Sequence, residues 1–341
     1  MSLLMCTTIL TIWPALNTGH AVDSVRTPRY VWRVVRTLLL TALMLLVLGS
    51  PLSRKLVDAA PFTAGAEEGL GEQEVQSLAA AWPDRISETS FRGSEWMLRI
   101  GDDWFAWAHG RLLPEEQRSR WKDFAAMPFY RYPLGMPPLP VLDEQTASRI
   151  RQRVRDNQKN PPRRSEAFLA ALLRAATRTE TESRLIALEV AGFTVTVHSR
   201  LQEPLSLVGR ELQALRRADP SVNAFFKGLR EMNGYNFRYV DGTRSRSLHS
   251  YGLAVDFIPK SYQGRNAYWM WAMNGTPDWW TIPYAKRWMP PLPVVEVFER
   301  QGFVWGGKWL FFDTMHFEYR PEILRLARHK AGPFMVSVPQ S

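Results

Sequence analysis

The sequence predicts an α+β protein with a small antiparallel sheet and flanking helices. Residues 193–198 (FTVTVH) alternate apolar and polar side chains, as a half-buried strand does. Residues 253–258 (LAVDFI) are apolar and rich in β-branched side chains, which is typical of a largely buried strand. Segments with the proline and glycine signals of helix ends lie around these two strands.

The composition is that of a globular protein, with 45% hydrophobic and 22% charged residues in a chain of 341. This length accommodates two ordinary domains, or one domain with extensions. The single cysteine, Cys6, excludes an intrachain disulfide.

The chain carries a net charge of +10, and the excess lies in residues 1–60 (+4) and 181–341 (+6). Nucleic acid is one partner class for such a basic surface. No nucleic-acid-binding motif accompanies the charge, so we expect an anionic wall polymer or a membrane surface instead, and no nucleic acid.

A leader is predicted in residues 1–58. Four arginines between residues 26 and 36 precede the apolar run 37–49 (TLLLTALMLLVLG). Because this run is shorter than the roughly 20 residues of a spanning helix, it favours a secretory signal peptide. An uncleaved anchor, with a membrane tether through residues 37–52, is the alternative. Both interpretations place the rest of the chain outside the cytoplasm, in the periplasm or cell envelope.

The middle of the chain, residues 59–180, is predicted to be an accessory and linker region. Gly101 divides two apolar runs within residues 96–108, which indicates a β-hairpin. Five prolines predict an extended connector. The predicted elements are a linker at 59–78, the hairpin, helices at 114–127, 143–158 and 166–178, and the connector at 127–142. The tryptophans of this region either stack on sugars or belong to the core.

The region from residue 181 to 335 is predicted to contain the sheet and four helices. Gly234 is the expected end of the second helix, and Pro321 the start of the last. The predicted helices cover 205–217, 222–233, 293–302 and 321–330. A segment with five tryptophans, 268–288, is expected either to form a cleft wall or to be buried.

Two motifs, in a fixed order along the chain, contain the candidate metal-binding residues. Residues 247–256 (SLHSYGLAVD) fit S-x-H-x-x-G-x-A-x-D, and residues 313–318 (DTMHFE) follow 57 residues after Asp256. A catalytic zinc takes three nitrogen or oxygen ligands from the protein and keeps one position open. His249, Asp256 and His316 can supply this set. A carboxylate on a buried strand is costly unless it is paired, and a metal ion would pair with Asp256.

These motifs resemble the zinc peptidases that include D-alanyl-D-alanine carboxypeptidases and L-alanyl-D-glutamate endopeptidases of bacterial cell walls. The resemblance covers roughly residues 190–330 and includes the run FVWGGKWLFFDTMHFEYRPE. It implies a zinc peptidase domain at 181–335 that hydrolyses the stem peptides of peptidoglycan, with peptidoglycan or its peptide fragments as partners.

The resemblance also implies catalytic roles. Asp313 is the candidate general base, and its identity as aspartate favours the endopeptidases. Arg238 is the candidate that steadies the substrate carbonyl, with Arg244 in reserve. Glu318 is either an alternative base or the group that orients His316, on whose side of the strand it should lie.

Two other protein classes remain open from sequence. A catalytically inactive, zinc-bearing wall-binding module would also keep the three ligands, since Hedgehog signalling domains resemble the same family. A membrane-tethered structural protein would have no need of the D-x-x-H motif formed by Asp313 and His316.

Overall fold

The computed structural model describes residues 70–329, which belong to one compact unit. The predicted leader and the membrane tether lie outside these residues. Within residues 70–329, no helix combines the length and the apolar character needed to cross a bilayer.

The described chain begins with a helix and a four-stranded meander. Helix α1 (Leu70–Ala81) corrects the expectation of a linker up to residue 78, because its buried face, including Val75 and Leu78, packs into the core. The strands are β1 (Ile86–Arg92), β2 (Glu95–Ile100), β3 (Asp103–Ala108) and β4 (Arg111–Pro114), paired in that order. The predicted hairpin is confirmed as β2 and β3.

The helix predicted over residues 114–127 was too long. Helix α2 (Glu115–Arg118) and a 3₁₀ turn at Trp121–Asp123 replace it. The chain bends back here because Arg111 Nε donates to the Phe124 carbonyl at 2.6 Å, and the Met127 amide donates to the Gly110 carbonyl at 2.8 Å.

The predicted extended connector is confirmed, since no helix or strand occurs between Asp123 and Glu144. Helix α3 (Glu144–Lys159) is capped by Asp143, which accepts from the Thr146 amide. The next helix, α4 (Ala167–Leu173), is shorter than predicted because Arg174 adopts the left-handed conformation at its end. A separate helix, α5 (Arg178–Glu182), follows behind a capping box.

The C-terminal region holds the second sheet. Strands β5 (Leu185–Val190) and β6 (Phe193–His198) form a hairpin, followed by helices α6 (Gln202–Ala218) and α7 (Pro220–Gly228). Helix α7 is shorter than predicted, because residues 229–233 pair with the neighbouring strand as β7 (Leu229–Asn233).

The site-bearing sheet has the antiparallel order β7-β8-β10-β9. Its other strands are β8 (Ala254–Pro259), β9 (Phe303–Trp305) and β10 (His316–Tyr319). The remaining helices are α8 (Trp269–Met273), α9 (Leu292–Arg300) and α10 (Pro321–His329). The α+β class with small antiparallel sheets is confirmed.

One hydrophobic cluster joins the two regions. It contains Leu98 and Phe105 from the meander together with Val197, Phe257 and other buried residues of the C-terminal region. Phe105 meets Phe168 of α4 edge-on, with ring centroids 5.7 Å apart. The two regions therefore share one hydrophobic core. The domain boundary expected near residue 180 stays a prediction.

Candidate metal centre

The three predicted ligands come from different elements around the two central strands of the sheet. His249 lies in a buried 3₁₀ turn (Leu248–Tyr251) just before β8, Asp256 lies within β8, and His316 opens β10. Asp256 and His316 are direct partners in the antiparallel register. Directly opposed residues project to the same face of a sheet, so pairing of the strands brings the two motifs together.

The donor atoms converge. His249 Nε2 lies 3.1 Å from His316 Nδ1 and 3.1 Å from Asp256 Oδ1, and His316 Nδ1 lies 2.8 Å from Asp256 Oδ1. Within residues 70–329, these three residues form the group that could hold a metal ion.

The outward ring nitrogens fix which atoms face inward. His249 Nδ1 contacts the Gly234 carbonyl, and His316 Nε2 lies 3.1 Å from Glu318 Oε1. Both partners accept, so both nitrogens donate. When both rings are neutral, their inward nitrogens direct two lone pairs towards the Asp256 carboxylate. Three mutually facing acceptors are unfavourable without a cation between them, and imidazole with carboxylate is a donor set that suits zinc.

The surroundings favour positive charge at this point. Burial opposes a charge on His316, yet its contacts with Asp256 and Glu318 raise its pKa well above the usual value. Burial also opposes a charge on Asp256 and would raise its pKa, but the contacts with His249 and His316 lower that pKa below its ordinary range. The cluster therefore stabilises a cation in its centre.

Two glycines allow strand β6 to run directly behind the site. A Cβ on Gly252 would lie 2.5 Å from the His198 amide nitrogen, and a Cβ on Gly234 would lie 2.0 Å from the Thr196 carbonyl oxygen. Gly252 also has a φ of +68°, a conformation that side chains disfavour. Close approach explains Gly234, rather than the predicted role of ending a helix.

Asp313 is half-buried beside the candidate ligands. Burial raises its pKa above the ordinary range, the negative charge of Asp256 adds to this, and His316 and Arg238 oppose it. Its Oδ1 atom is buried without a hydrogen-bond partner among the described residues. An unpaired carboxylate oxygen here is available to accept a proton.

The two candidate arginines have different surroundings. Arg238 is half-buried within electrostatic range of Asp313, and its guanidinium makes no hydrogen bond or ion pair with residues 70–329. Its backbone is held on both sides by Ser250, whose hydroxyl contacts the Arg238 amide and carbonyl. Arg244 is exposed and donates to the Pro161 carbonyl at 3.2 Å. The geometry therefore favours Arg238.

Glu318 contacts His316 on the side away from the other ligands, as the strand periodicity predicted. Arg320 lies 3.8 Å from the second Glu318 oxygen. These contacts hold a carboxylate against the ligand ring, which orients the ring and increases its basicity.

Sequence reasoning missed two tyrosines at the site. Burial raises the pKa of Tyr262, and the charges of Asp313 and Asp256 raise it further, while its hydroxyl contacts Met315 Sδ beside His316. Burial and the charge of Asp313 also raise the pKa of Tyr268. The backbone of Tyr268 forms an antiparallel bridge with that of Asp313. Their only sequence signal is the aromatic segment that follows β8.

The fold and the donor set define a candidate single-metal site on the two central strands of an antiparallel sheet. Residues 241–319 match the family model of D-alanyl-D-alanine carboxypeptidase. A curated relative, the peptidoglycan L-alanyl-D-glutamate endopeptidase CwlK of Bacillus subtilis (strain 168), is 34% identical over 112 residues. That match covers 31% of this chain and 57% of the relative. The C-terminal region is thus similar to the peptidases that its motifs resemble.

The matched region includes His249, Asp256, Asp313 and His316, while Arg238 lies just ahead of the family match. Residues 74–129, which contain the meander, match a domain family of unknown function. No solved structure matches the chain significantly.

Proposed function

We propose that this protein is a zinc-dependent peptidase that hydrolyses peptide bonds in the stem peptides of bacterial peptidoglycan. The observation that carries the proposal is the convergence of His249, Asp256 and His316, with the unpaired carboxylate of Asp313 beside them. The comparisons support the substrate class, since the matching family model is described as D-alanyl-D-alanine carboxypeptidase and the relative is named a peptidoglycan L-alanyl-D-glutamate endopeptidase.

In this proposal each residue has a separate task. His249, Asp256 and His316 would hold the ion, which when bound lowers the pKa of water and polarises a carbonyl. Asp313 takes a proton from the attacking water and passes it to the leaving amine. Its raised pKa suits it to both steps, because a base near neutrality can also act as the acid. The free guanidinium of Arg238 stabilises the negative charge that develops on the carbonyl oxygen.

We further propose that the chain acts as an endopeptidase rather than a carboxypeptidase. Aspartate at position 313 is the residue typical of the endopeptidases in the resembled family. The relative from Bacillus subtilis is named for the L-alanyl-D-glutamate bond. The substrate lies outside the cytoplasmic membrane, so the proposal includes an extracytoplasmic location.

The test is digestion of purified peptidoglycan by the full chain, with the fragments identified by mass spectrometry. We expect new amino termini within the stem peptide, and cleavage that Asp313→Asn lowers by at least about 10²-fold. Zinc content should stay unchanged in that variant, because the three ligands are intact. Equal cleavage by Asp313→Asn and the parent would refute the assignment of the base.

The second candidate is an inactive zinc-bearing wall-binding module. It would bind peptidoglycan fragments without releasing any product. The unpaired Oδ1 of Asp313 favours the enzyme, because a binding module has no use for a buried carboxylate oxygen without a partner. Retention of zinc and of wall binding, with no cleavage of any wall peptide, would favour the module.

A further inference from the structure

The aromatic segment beside the metal centre contains one tryptophan that does not belong to the core. Trp269, Trp279, Trp280 and Trp288 are each at most 8% exposed, whereas Trp271 is 55% exposed. From sequence, this segment was expected either to form a cleft wall or to be buried, and the structure shows a different answer for different tryptophans. The four buried rings are core, and the ring of Trp271 faces solvent.

Trp271 is tied to the metal centre through the two tyrosines. Its ring centroid lies 5.6 Å from that of Tyr268 and 5.8 Å from that of Tyr262, with interplanar angles of 84° and 74°. Both tyrosines present their edges or faces nearly perpendicular to the indole, so neither stacks flat on it. Tyr268, whose backbone bridges that of Asp313, therefore links the indole to the side of the metal centre that carries Asp313.

The position of Trp271 is held firmly from behind. Helix α8 begins directly after Tyr268, whose backbone bridges Asp313, and the Trp269 amide donates to the Phe312 carbonyl at 2.9 Å. Tyr262 is also fixed, since its hydroxyl contacts Met315 Sδ at 2.7 Å and its ring meets Trp288 edge-on. A rigid exposed aromatic ring beside a reaction centre loses little entropy when it binds a ligand.

We propose that Trp271 forms a sugar-binding subsite, which takes the N-acetylmuramoyl residue to which the stem peptide is attached. The C–H groups on one face of a pyranose carry partial positive charge and meet the negative face of an indole favourably. The hydroxyl groups around the sugar remain in water, as an exposed platform allows. This inference rests on the proposed function.

The subsite has a consequence for the bond that is cut. The stem peptide joins the sugar through its first residue, and each extended residue adds about 3.3–3.6 Å. A sugar on Trp271 lies next to Tyr268, which links it to the side of the metal centre that carries Asp313, so only the first bonds of the stem reach the metal centre at the same time. The subsite therefore selects the sugar-proximal end of the stem peptide rather than its free carboxyl end.

The experiment compares two substrates that differ only in the sugar: N-acetylmuramoyl stem peptide and the same stem peptide without it. The ratio of their kcat/KM values is measured for the full-chain parent, for Trp271→Ala and for Phe91→Ala. Phe91 is a matched control, because it is 59% exposed and lies on the meander. We expect the parent to favour the sugar-bearing substrate by about tenfold, the scale of one stacking contact. Trp271→Ala should bring the ratio close to one, while Phe91→Ala keeps the parent ratio.

A ratio that stays at the parent value in Trp271→Ala overturns the subsite. An equal loss on both substrates also overturns it, because Trp271 would then contact the peptide or support the fold. Binding of the uncleaved muramoyl peptide by the Asp313→Asn protein is measured by calorimetry, with and without Trp271→Ala. Sugar-dependent binding without any cleavage by the parent would refute the peptidase and retain the subsite. Cleavage without sugar dependence would do the reverse.

Discussion

Replacing Glu318 by glutamine should weaken zinc binding without touching a ligand. Glu318 Oε1 accepts from His316 Nε2 at 3.1 Å, and the second oxygen lies 3.8 Å from Arg320. Glutamine keeps the size of the side chain and one acceptor oxygen, but it removes the negative charge. His316 then becomes a poorer donor to the ion, and its ring is held less firmly.

The expected magnitude follows from that single contact. A hydrogen bond to a charged group contributes about 1.5–3 kcal/mol, and the glutamine carbonyl retains part of it. The variant loses the part of this hydrogen-bond energy that depends on the negative charge. Replacing the carboxylate behind a ligating histidine usually lowers metal affinity by about 10-fold to 100-fold, and we expect a loss of this size in the affinity for zinc. This corresponds to about 1.4–2.7 kcal/mol of binding free energy.

The measurement is a competition titration of zinc between the protein and a chromophoric chelator at neutral pH. Glu322→Gln is the matched control, because Glu322 is buried and also pairs with Arg320, yet does not contact His316. We expect the control to lose folding stability and to keep the parent affinity for zinc. The reasoning fails if Glu318→Gln binds zinc within about twofold of the parent, or if Glu322→Gln is weakened to the same degree.

Three further outcomes are expected. Zinc measured by elemental analysis should be lost when any ligand is replaced by alanine; the ligands are His249, Asp256 and His316. Arg238→Ala should keep zinc and lower turnover by about 10²–10³, the scale of one lost oxyanion donor, whereas a loss seen only in Arg244→Ala would show that the wrong arginine was chosen. Burial lowers the pKa of His198 to about 4, so the unfolded chain binds a proton before the folded one does as the pH falls. The free energy of unfolding should therefore drop by about 2.6 kcal/mol between pH 6.5 and 4. Chemical denaturation of His198→Asn should show a smaller drop, and an equal drop in that variant would show that another group is responsible.

Local sequence determined most of the element types and the ligand set. Strands occur at the alternating pattern of 193–198 and at the largely apolar run of 253–258, and the last helix begins at Pro321. Each of these signals depends on interactions within a few residues of the chain. The errors were in helix ends and in helix α1, which occupies part of the predicted linker. Residues 229–233 were expected to be helical but pair with β8, because hydrogen bonds to a distant strand outweigh a weak local preference.

The sequence by itself predicted His249, Asp256 and His316 as the ligand set from residue type and spacing, and the structure brings their donor atoms together. Only the tertiary structure decided what surrounds them. The partner of each outward ring nitrogen, the unpaired oxygen of Asp313 and the separation of Arg238 from Arg244 depend on contacts between residues far apart in the chain. The exposure of Trp271 beside four buried tryptophans is of the same kind, since burial is a property of the packed molecule. Spacing along the chain predicts which groups can meet, whereas packing decides which of them keep a free atom for a substrate.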